Sequence, residues 1–356
     1  MIAAARAADL ILTGSGAGDA PAQVAAILTA LATQGAAPAD LCLLRAFYRA
    51  DEPEEALRQQ IADALPPDIR TALTLIPVAH AGDGALSIEA VAVIANTPSR
   101  TVTNPDGPAC FVAGLRRGRF LLLSAARAAP AGIVTESRDV MTALGQTLAA
   151  LGAGFGDVVK MNRWYHADGT KDAWAPSALA VAGFYAEPGP IATAISLPVP
   201  FPGGQTIQIE LMGMLSLDGT PLPKHHSWPE GLWDWPVHLP YKHGLACGGL
   251  GFIGGQVSLD KDAQVIDPDH LDRQIARSLS CIDRVAAGLG PVARHLHLGI
   301  YHEIPDASPS GQAGAAALAA LASGPTPNVL AGFAHLSYPK MRVEIEAIVE
   351  LEPRNA

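Results

Sequence analysis

The stretch Gln274–Tyr301, QIARSLSCIDRVAAGLGPVARHLHLGIY, reads as a helix, a glycine-containing stop and a strand. Apolar residues recur at spacings of three and four from Leu271 to Leu289, which places them on one face of a helix. Gly288 stands where a helix commonly ends, and the strand that follows finishes at a tyrosine. The stretch therefore predicts a helix that packs on a sheet.

The same order of elements occurs twice earlier in the chain. Gln23–Tyr48 (QVAAILTALATQGAAPADLCLLRAFY) and Val140–Tyr165 (VMTALGQTLAALGAGFGDVVKMNRWY) each contain a helix, a glycine and a strand that ends in tyrosine. The last strands of the three units read LSIEAVAV, IQIELMGM and VEIEAIVE, and their equivalent glutamates are Glu89, Glu210 and Glu346. A pattern seen three times indicates one α+β unit present in three copies, with helices on one face of a sheet.

The repeat also places the remaining elements. A short apolar strand precedes each first helix, at Leu10–Thr13, Phe120–Ser124 and Gly251–Gly255. A second helical segment follows each tyrosine, at Glu54–Ala64, Trp174–Tyr185 and Gly311–Ala322. The resulting boundaries are 1–95 for the first unit, 96–117 for a linker, 118–216 for the second unit, 217–240 for a linker rich in proline and aromatic residues, and 241–356 for the third unit.

Composition restricts the class of protein. Of the 356 residues, 49% are hydrophobic and 16% are charged, as in a well-buried globular protein. The net charge of -10 argues against a nucleic-acid partner, which needs a clustered positive surface. Four widely spaced cysteines indicate buried thiols in a reducing compartment. The N-terminal apolar run stops at Gly14 and lacks the layout of a signal peptide, so we expect a cytoplasmic protein without membrane contact.

A second unusual stretch is Pro221–Val257, called here the aromatic segment, which holds three of the five tryptophans and four of the eleven histidines. Its prolines exclude a continuous helix, so its aromatic side chains are expected on extended chain. Such side chains commonly bury the ring and direct a polar edge at a partner. Two interpretations remain open: a linker wrapped on a domain surface, or the wall of a cleft between two units, where ligand pockets often occur.

The third unit resembles the Rid family, the reactive intermediate deaminases also called YjgF-like proteins. The matching residues are Leu239-Pro240-Tyr241, Gly254-Gly255-Gln256 and Val343-Glu344-Ile345-Glu346-Ala347. The strand GDVVKMNRWY of the second unit and the segment Pro67-Asp68-Ile69-Arg70-Thr71 of the first unit also resemble family segments, so the likeness covers most of the chain as three divergent copies.

The resemblance implies a quaternary plan within one chain, because family members are homotrimers with ligand clefts between subunits. Three copies in one chain imply an α+β fold in which Rid-like units form an intramolecular pseudo-trimer, with a central β-barrel-like core and the helices outside. The protein is then a monomer, or a homo-oligomer of such pseudo-trimers. Duplication frees the three clefts to diverge, so one cleft can be active while the others are not.

The resemblance also implies a reaction. Rid proteins hydrolyse the C=N bond of a 2-imino acid or its enamine without a metal or cofactor. A guanidinium suits the substrate carboxylate because the two groups match in bidentate geometry, and a carboxylate in a partly dry cleft suits the orientation and deprotonation of water. The family arginine matches Arg70, the water-activating group matches Glu344, and Tyr241 is a polar wall residue. The expected partner is a small molecule that carries a carboxylate.

Seven further residues complete the predicted site: Gly254, Gly255, His238, His243, Trp233, Trp235 and Ser337. The glycine amides are candidates for holding an anionic oxygen, because glycine allows close approach of the backbone. The two histidines are candidates for proton transfer because their intrinsic pKa is near neutral. The two tryptophans have no counterpart in the family, so we interpret them as a wall that sets substrate preference.

Each assignment has a structural alternative. Glu344 and Glu346 point the same way on a strand, so they can also be a solvent-facing pair. Glu346 recurs in every unit and is expected to be structural, at a position shared between units. Arg70 can form a surface or inter-unit salt bridge, and Tyr241 can be a core residue.

A metal site is the other chemistry that histidines suggest. His295 and His297 lie on one strand and form half of a possible site, with His302 and Glu303 a few residues further on. No third ligand follows at a telling spacing, so we expect neither metal nor cofactor.

Two other functions remain open. Chorismatases are single chains with the same pseudo-trimer plan and a similar last strand, and they hydrolyse or rearrange chorismate. Such an enzyme needs cations for two carboxylates, for which Lys224, Lys242 and Arg70 are the candidates. The third possibility is a degenerate Rid-like protein that binds a small metabolite without catalysis, because the third unit lacks the family arginine.

Overall fold

The computed structural model describes residues 2–81, 84–105, 107–166, 170, 173–197 and 199–353. Its α-helices are α1 (Ala20–Thr33), α2 (Glu54–Ala64), α3 (Ile133–Ala150), α4 (Ala175–Ala182), α5 (Leu271–Leu289) and α6 (Pro309–Ala322). Within that described part of the chain, none of the helices is both long and apolar enough to cross a membrane.

Backbone hydrogen bonds join the strands into three sheets. The strands in the first third of the chain are β1 (Ala4–Ala7), β2 (Leu10–Thr13), β3 (Leu41–Arg49), β4 (Ala72–Val78), β5 (His80–Ala81) and β6 (Leu86–Val93), and all but β5 form the first sheet. The second sheet consists of β7 (Arg100–Thr103), β8 (Val112–Arg117), β9 (Phe120–Ala126), β10 (Val158–His166), β11 (Ile191–Leu197) and β12 (Ile207–Met214). The third consists of β13 (Lys224–Ser227), β14 (Gly244–Cys247), β15 (Leu250–Val257), β16 (Val292–Glu303), β17 (Asn328–Phe333) and β18 (Val343–Leu351), with β5 at its edge.

One strand order recurs in all three sheets: β1-β2-β6-β3-β4, β8-β9-β12-β10-β11 and β14-β15-β18-β16-β17. In each sheet the strand after the first helix pairs antiparallel with the last strand and parallel with the strand after the second helix. The predicted α+β elements are confirmed, and β2, α2, β6 and β12 have the predicted bounds. The sheets are open, and no closed barrel joins the described strands, so the expected barrel-like core is not a single hydrogen-bonded sheet.

Part of each stretch interpreted as a linker is strand. β7 and β8 lie within 96–117, and β8 is the counterpart of β1 and β14 in the common strand order. β13 lies within 217–240 and pairs antiparallel with β14. Both stretches therefore contribute strands to a sheet as well as connecting one sheet to the next.

The apolar face predicted for the third repeat is buried. Leu271, Ile275, Ile282 and Leu289 of α5 are all buried, and Leu279 is half-buried. The helix packs on β15 and β18. Burial of a leucine or isoleucine side chain contributes roughly 1.5–3 kcal/mol, so this face is a main source of the attachment of α5 to its sheet.

The register of the sheets corrects the alignment of the repeats at their tyrosines. In the first two sheets the tyrosine pairs with the residue three positions before the repeated glutamate, whereas Tyr301 pairs with Glu344, two positions before Glu346. The pairing from Gly299 to Tyr301 is regular, and the β-bulge between His295 and His297 has a counterpart in each of the first two sheets. The difference lies in where the tyrosine stands in the sequence and not in an additional bulge. The third tyrosine is therefore one residue out of line with the others.

The repeated glutamate of the third sheet is bound by the second sheet. Glu346 is buried and accepts hydrogen bonds from Lys160 Nζ at 2.7 Å, from Asn162 Nδ2 at 3.1 Å and from Thr193 Oγ1. Burial alone raises the pKa of the Glu346 carboxyl, but the charges of Lys160 and Arg45 outweigh burial and lower it to about 2. Glu346 is thus an ionised structural residue between two sheets, as the repeat predicts.

The other two repeated glutamates are bound in the same cyclic sense. Glu210 of the second sheet accepts from Arg45 and from Thr74 Oγ1 of the first sheet. Glu89 of the first sheet lies 2.6 Å from His297 Nε2 of the third sheet and is also bound by Arg45. Each sheet is therefore linked to both others through the buried carboxyl group of a glutamate, and removal of the side chains that bind a buried carboxylate leaves its charge uncompensated.

Candidate active site

A narrow cavity of about 40 Å³ lies where the second sheet meets the third. Its walls come from β10 and β11 of the second sheet, from β15 and β18 of the third, from the residues before α4 and from the aromatic segment. A buried water needs at least 10–15 Å³ of such volume, so the cavity has room for about three waters or a very small ligand. The aromatic segment is thus the wall of a cleft rather than a surface linker.

Glu344 of β18 lies in this cavity and is only 5% exposed. It is not part of a solvent-facing pair, because Glu346 is also buried. The pKa of the Glu344 carboxyl is raised to about 8, chiefly by burial and further by the charge of Glu346. The Ala194 N–H, 3.3 Å from Oε1, acts in the opposite direction. At neutral pH the group is mostly a neutral acid that can donate a proton.

Gly255 makes room for that carboxyl group. A Cβ at position 255 would lie 1.9 Å from Glu344 Oε1, which no side-chain carbon can occupy. The Gly255 N–H donates to Thr193 Oγ1 at 3.1 Å, and the Gly254 N–H donates to the His243 carbonyl oxygen at 2.9 Å. Both amides are therefore engaged, and the expectation that they hold an anionic oxygen is not met.

Arg163 of β10 brings a positive charge to the cavity. It is 4% exposed, and among the described lining residues it is the one lysine or arginine. Its Nη1 donates to Ser177 Oγ at 2.7 Å and its guanidinium lies 5.0 Å from the centre of the Tyr165 ring. Its Nε is buried without a hydrogen-bond partner, and no carboxylate within the described residues lies within 4.0 Å of it. The charge is thus buried but not neutralised by a contact.

Three neutral hydrogen-bond donors in the cavity are also buried without a partner, like Arg163 Nε. Tyr241 Oη, Trp174 Nε1 and Trp233 Nε1 are buried and have no hydrogen-bond partner in the described part of the chain. Burial raises the pKa of Tyr241 well above its usual range, so its hydroxyl stays protonated. Leaving a buried donor unpaired costs about 1–3 kcal/mol, so a cluster of them is uncommon without a purpose. Together these groups suit a ligand with several acceptor oxygens.

The aromatic side chains form a continuous wall. The Trp233 and Trp235 rings meet edge to face with centroids 4.4 Å apart, and Trp235 lies 5.8 Å from Trp174. Trp235 is half-buried and also lines an outer groove of about 450 Å³, together with Trp228 and His238. Trp235 therefore separates the inner cavity from this larger outer groove.

The two predicted histidines do not line the inner cavity. His243 is buried, its Nε2 lies 2.9 Å from the Trp233 carbonyl oxygen, and its ring stacks edge to face on Trp233 at 4.6 Å. Burial lowers the pKa of His243 to about 4, so it stays neutral and supports the tryptophan wall. His238 is exposed and lies 3.0 Å from Glu187 at the outer groove. Neither residue is placed for proton transfer in the cavity.

Of the two remaining predicted residues, Ser337 lies in the cavity and Arg70 does not. Ser337 lines the cavity, accepts from Tyr165 Oη at 2.7 Å and donates to the Ala194 carbonyl oxygen at 3.0 Å. Arg70 is exposed, lies outside the cavity and donates to the carbonyl oxygens of Pro67 and Ile69. The guanidinium of this cavity comes from a different residue because Arg70 belongs to the loop before β4 of the first sheet.

The histidines considered for a metal have other contacts. His297 is bound to Glu89, and His302 Nδ1 lies 3.0 Å from the Glu303 carbonyl oxygen. In the ranges that the structure describes, no group of three histidine, cysteine or acidic side chains is arranged to hold a metal ion.

Two further clefts occupy the equivalent places between the other sheets. The register makes Gln208 and Ser87 the counterparts of Glu344. The cleft between the first and second sheets has about 420 Å³ and contains Gln208, and the cleft between the third and first sheets has about 560 Å³ and contains Ser87. A buried carboxyl group at this position is therefore particular to the cleft between the second and third sheets.

Sequence reasoning did not select Arg163 or Trp174. The stretch VVKMNRWY carries Lys160, Asn162 and Arg163 among apolar residues, and such buried polar residues point to ionic or functional contacts. By register, the counterparts of Arg163 are Ala46 and Ile300, so the repeat itself gives no sign of it.

Comparison with known proteins adds three similar solved structures. The chain is similar to Rv2704 from Mycobacterium tuberculosis, a member of the YjgF/YER057c/UK114 family, with 15% identity over 33% of this chain and 99% of that chain and a TM-score of 0.30. It is also similar to RidA from the Antarctic bacterium Psychrobacter sp., with 18% identity over 33% of this chain and 99% of that chain and a TM-score of 0.29. The third is E. coli TdcF with bound serine, with 18% identity over 33% of this chain and 94% of that chain and a TM-score of 0.28. No family model and no curated protein matches the chain.

Proposed function

We propose that the protein is a Rid-type hydrolase that cleaves the C=N bond of a small imine or enamine carrying a carboxylate. The observation that carries the proposal is one cavity that combines a buried neutral acid, Glu344, with a buried unpaired cation, Arg163. In this proposal the three sheets are Rid-like units of a pseudo-trimer, with the boundaries given above. The cleft between the second and third units is the active one.

The substrate carboxylate binds to Arg163 and the neutral donors. A carboxylate offers about four lone-pair positions, and the cavity offers Arg163 Nε, Tyr241 Oη, Trp174 Nε1 and Trp233 Nε1 as donors without partners. The charge-assisted hydrogen bond to a guanidinium is the strongest of these contacts. Binding thus satisfies groups that the folded chain leaves unpaired, and it neutralises the buried charge of Arg163.

Glu344 moves the protons of the reaction. In its acid form it protonates the imine nitrogen, and the carboxylate that results takes a proton from water as the water oxygen attacks the C=N carbon. In the tetrahedral adduct the regenerated acid protonates the amino nitrogen. The C–N bond then breaks, ammonia leaves, and Glu344 takes the hydroxyl proton as the C=O bond forms. A pKa of about 8 keeps both protonation states accessible near neutral pH, as general acid–base catalysis requires.

The aromatic wall limits the substrate. A cavity of about 40 Å³ admits a carboxylate and the carbon next to it, but a longer side chain must pass Trp235 into the outer groove. Trp233 and Trp235 are therefore the specificity wall of the proposed site.

A metabolite-binding function without catalysis is the second candidate, because unpaired donors around a buried cation suit anion binding by themselves. A chorismatase function has less support, since chorismate carries two carboxylates and Arg163 is the one cation among the described lining residues. Lys242 lines the outer groove instead and is paired with Glu187 at 2.7 Å, and Lys224 donates to the carbonyl oxygens of Gly156 and Val158.

One set of assays separates these functions. An amino-acid oxidase generates 2-imino acids in the presence of the purified protein, and ammonia and 2-oxo acid are followed against the uncatalysed rate. The proposal expects acceleration by the wild type and its loss in Glu344→Gln. Pyruvate release from chorismate would identify the chorismatase reaction instead. Saturable binding of small carboxylates without either reaction would identify a binding protein.

A further inference from the structure

The cleft between the first and second sheets differs from the proposed active cleft in how its arginine is used. Gln208 takes the place of Glu344 there, and Ala125 takes the place of Gly255. The cleft has about 420 Å³ and is lined by Arg127, which directly follows β9, and by the neighbouring Arg58 of α2. Both arginines already bind a carboxylate that belongs to the chain.

That carboxylate is Glu54, at the start of α2. Arg127 holds it in bidentate geometry, with Nη1 3.0 Å from Oε1 and Nη2 2.7 Å from Oε2. Arg58 Nη2 donates to Oε1 at 2.9 Å, and Tyr48 Oη donates to Oε2 at 2.9 Å. Glu54 is 8% exposed, so two cations and a hydroxyl complete its hydrogen bonding away from bulk water. A planar fork of this kind is the usual way in which proteins recognise a carboxylate.

The arginine at the centre of the contact is also fixed by other groups. Arg127 Nε donates to Gln208 Oε1 at 2.6 Å, and Nη2 lies 3.3 Å from the Leu75 carbonyl oxygen. The guanidinium stacks over the Phe201 ring at 4.3 Å. These contacts do not involve Glu54, so they hold the fork in place whether or not that side chain is present. The recognition group is therefore preorganised.

We propose that the cluster of Arg127, Arg58 and Tyr48 beside this cleft is a carboxylate-binding site that the chain occupies with its own Glu54. The ligand class is the carboxylate of a small organic acid, bound by Arg127, Arg58 and Tyr48. The contrast is with Arg163, which has no carboxylate partner within the described residues and so can bind an external acid, whereas Arg127 and Arg58 are already paired with Glu54. This site is separate from the proposed active cleft and stands whether or not the protein hydrolyses imines.

The electrostatics of the contact agree with its geometry. Burial alone would raise the pKa of the Glu54 carboxyl, but the hydrogen bonds and charge of Arg127, with help from Tyr48 and Arg58, lower it below its usual value. Glu54 is therefore ionised at neutral pH, as a bound organic acid would be.

Removing the internal ligand tests the proposal. Glu54→Ala vacates the position while Arg127 stays in place, and sodium acetate is the probe, with sodium chloride at equal ionic strength as reference. The thermal unfolding midpoint of Glu54→Ala is expected below that of the wild type, and acetate should raise it in a saturable manner, because a ligand that binds the folded state alone stabilises that state. Acetate can also bind in the cleft between the second and third sheets, so the acetate-induced shift of the unfolding midpoint of the wild type is the baseline.

Two variants complete the design. Asp63→Ala removes an exposed carboxylate of the same helix that is bound by Gln59 and not by either arginine, and it should respond to acetate like the wild type. The double variant Glu54→Ala/Arg127→Met lacks the fork and should lose the additional response. Recovery of soluble Glu54→Ala only when acetate is present would also support the proposal. An acetate response of Glu54→Ala no larger than that of the double variant, or insolubility that acetate does not relieve, would overturn it.

Discussion

Gly255 and Glu344 fit together so closely that a single added methyl group at position 255 would lie 1.9 Å from the Glu344 Oε1 atom. The glycine is needed for this space and not for a special backbone angle, because Gly255 is not among the glycines with positive φ. The two residues lie on neighbouring strands, β15 and β18. The position of the acid in the cavity therefore depends on the absence of a side chain opposite it.

The first prediction concerns this contact. Gly255→Ala should displace the Glu344 carboxyl and abolish imine hydrolysis, at a stability cost of roughly 1–3 kcal/mol for overpacking. The measurements are the steady-state rate and the urea unfolding curve. The reciprocal change at the equivalent position, Ala125→Gly, should leave the activity unchanged. A Gly255→Ala protein with wild-type activity would show that Glu344 need not occupy its present position.

The second prediction is the pH profile of the reaction. Because the pKa of Glu344 is about 8, the acid form is present below that pH and is lost above it. If this form protonates the imine nitrogen, kcat/KM should fall as the pH rises through about 8. Glu344→Gln should be inactive at every pH. A profile in the wild type that is flat from neutral to alkaline pH would contradict the assignment.

The third prediction is the pH dependence of stability, which does not require any substrate. The folded-state pKa of Glu344 is raised from 4.5 to about 8, so between these values the folded protein keeps a proton that the unfolded chain releases. The unfolding free energy should therefore fall with rising pH in this window, by about 1.4 kcal/mol per pH unit from this group. Chemical denaturation should show Glu344→Gln gaining stability relative to the wild type as pH rises. A difference independent of pH would count against the raised pKa.

The fourth prediction separates the two arginines. Arg163→Met should lower kcat/KM about 10- to 100-fold, because a hydrogen bond to a charged group contributes roughly 1.5–3 kcal/mol. Methionine fills the same space, and a buried cation without an ion pair is replaceable by an apolar side chain without loss of the fold. Arg70→Met is the matched control and should have wild-type kinetics, since Arg70 is exposed outside the cavity. The opposite ranking of the two variants would return the carboxylate-binding role to Arg70.

The fifth prediction concerns substrate size. Trp235→Ala should join the inner cavity to the outer groove and raise activity toward imino acids with longer side chains relative to the smallest one. His238→Ala, which removes an exposed side chain of the outer groove that contacts Glu187 and not the tryptophans of the wall, should keep the wild-type order of preference. The measurement is kcat/KM over a series of side-chain lengths. An unchanged series in a folded Trp235→Ala protein would remove this residue from the specificity wall.

Much of the fold follows from local sequence patterns. Helical spacing and alternating strands repeat three times, so β2, α2, β6 and β12 are predicted to the residue. The pattern did not predict that Tyr301 lies one residue out of line with Tyr48 and Tyr165, because an aligned tyrosine in the sequence does not determine how its strand pairs. Within 96–117, β7 was missed because it is a mostly exposed edge strand, which carries a weak hydrophobic pattern.

The site was predicted only where one unit supplies the residues. Glu344 and Tyr241 come from segments that resemble the Rid family, Trp233 and Trp235 come from the linker just before the third unit, and all four line the cavity. Arg163 belongs to another unit and reaches the cavity because two sheets pack together. A contact between sheets is a property of the tertiary fold, and a single sequence contains no direct signal for it.

The buried contacts of Glu89, Glu210 and Glu346 limit the order in which the three sheets can be connected along the chain. Each glutamate is bound by different partners from a neighbouring sheet: His297 for the first, Arg45 and Thr74 for the second, and Lys160 with its neighbours for the third. Every sheet thus has one correct neighbour on each side. A circular permutant that keeps this order preserves all three sets of contacts, whereas a chain with two units exchanged would bury charges opposite the wrong groups. The buried contacts therefore specify the order of the three sheets, in addition to the connections between them.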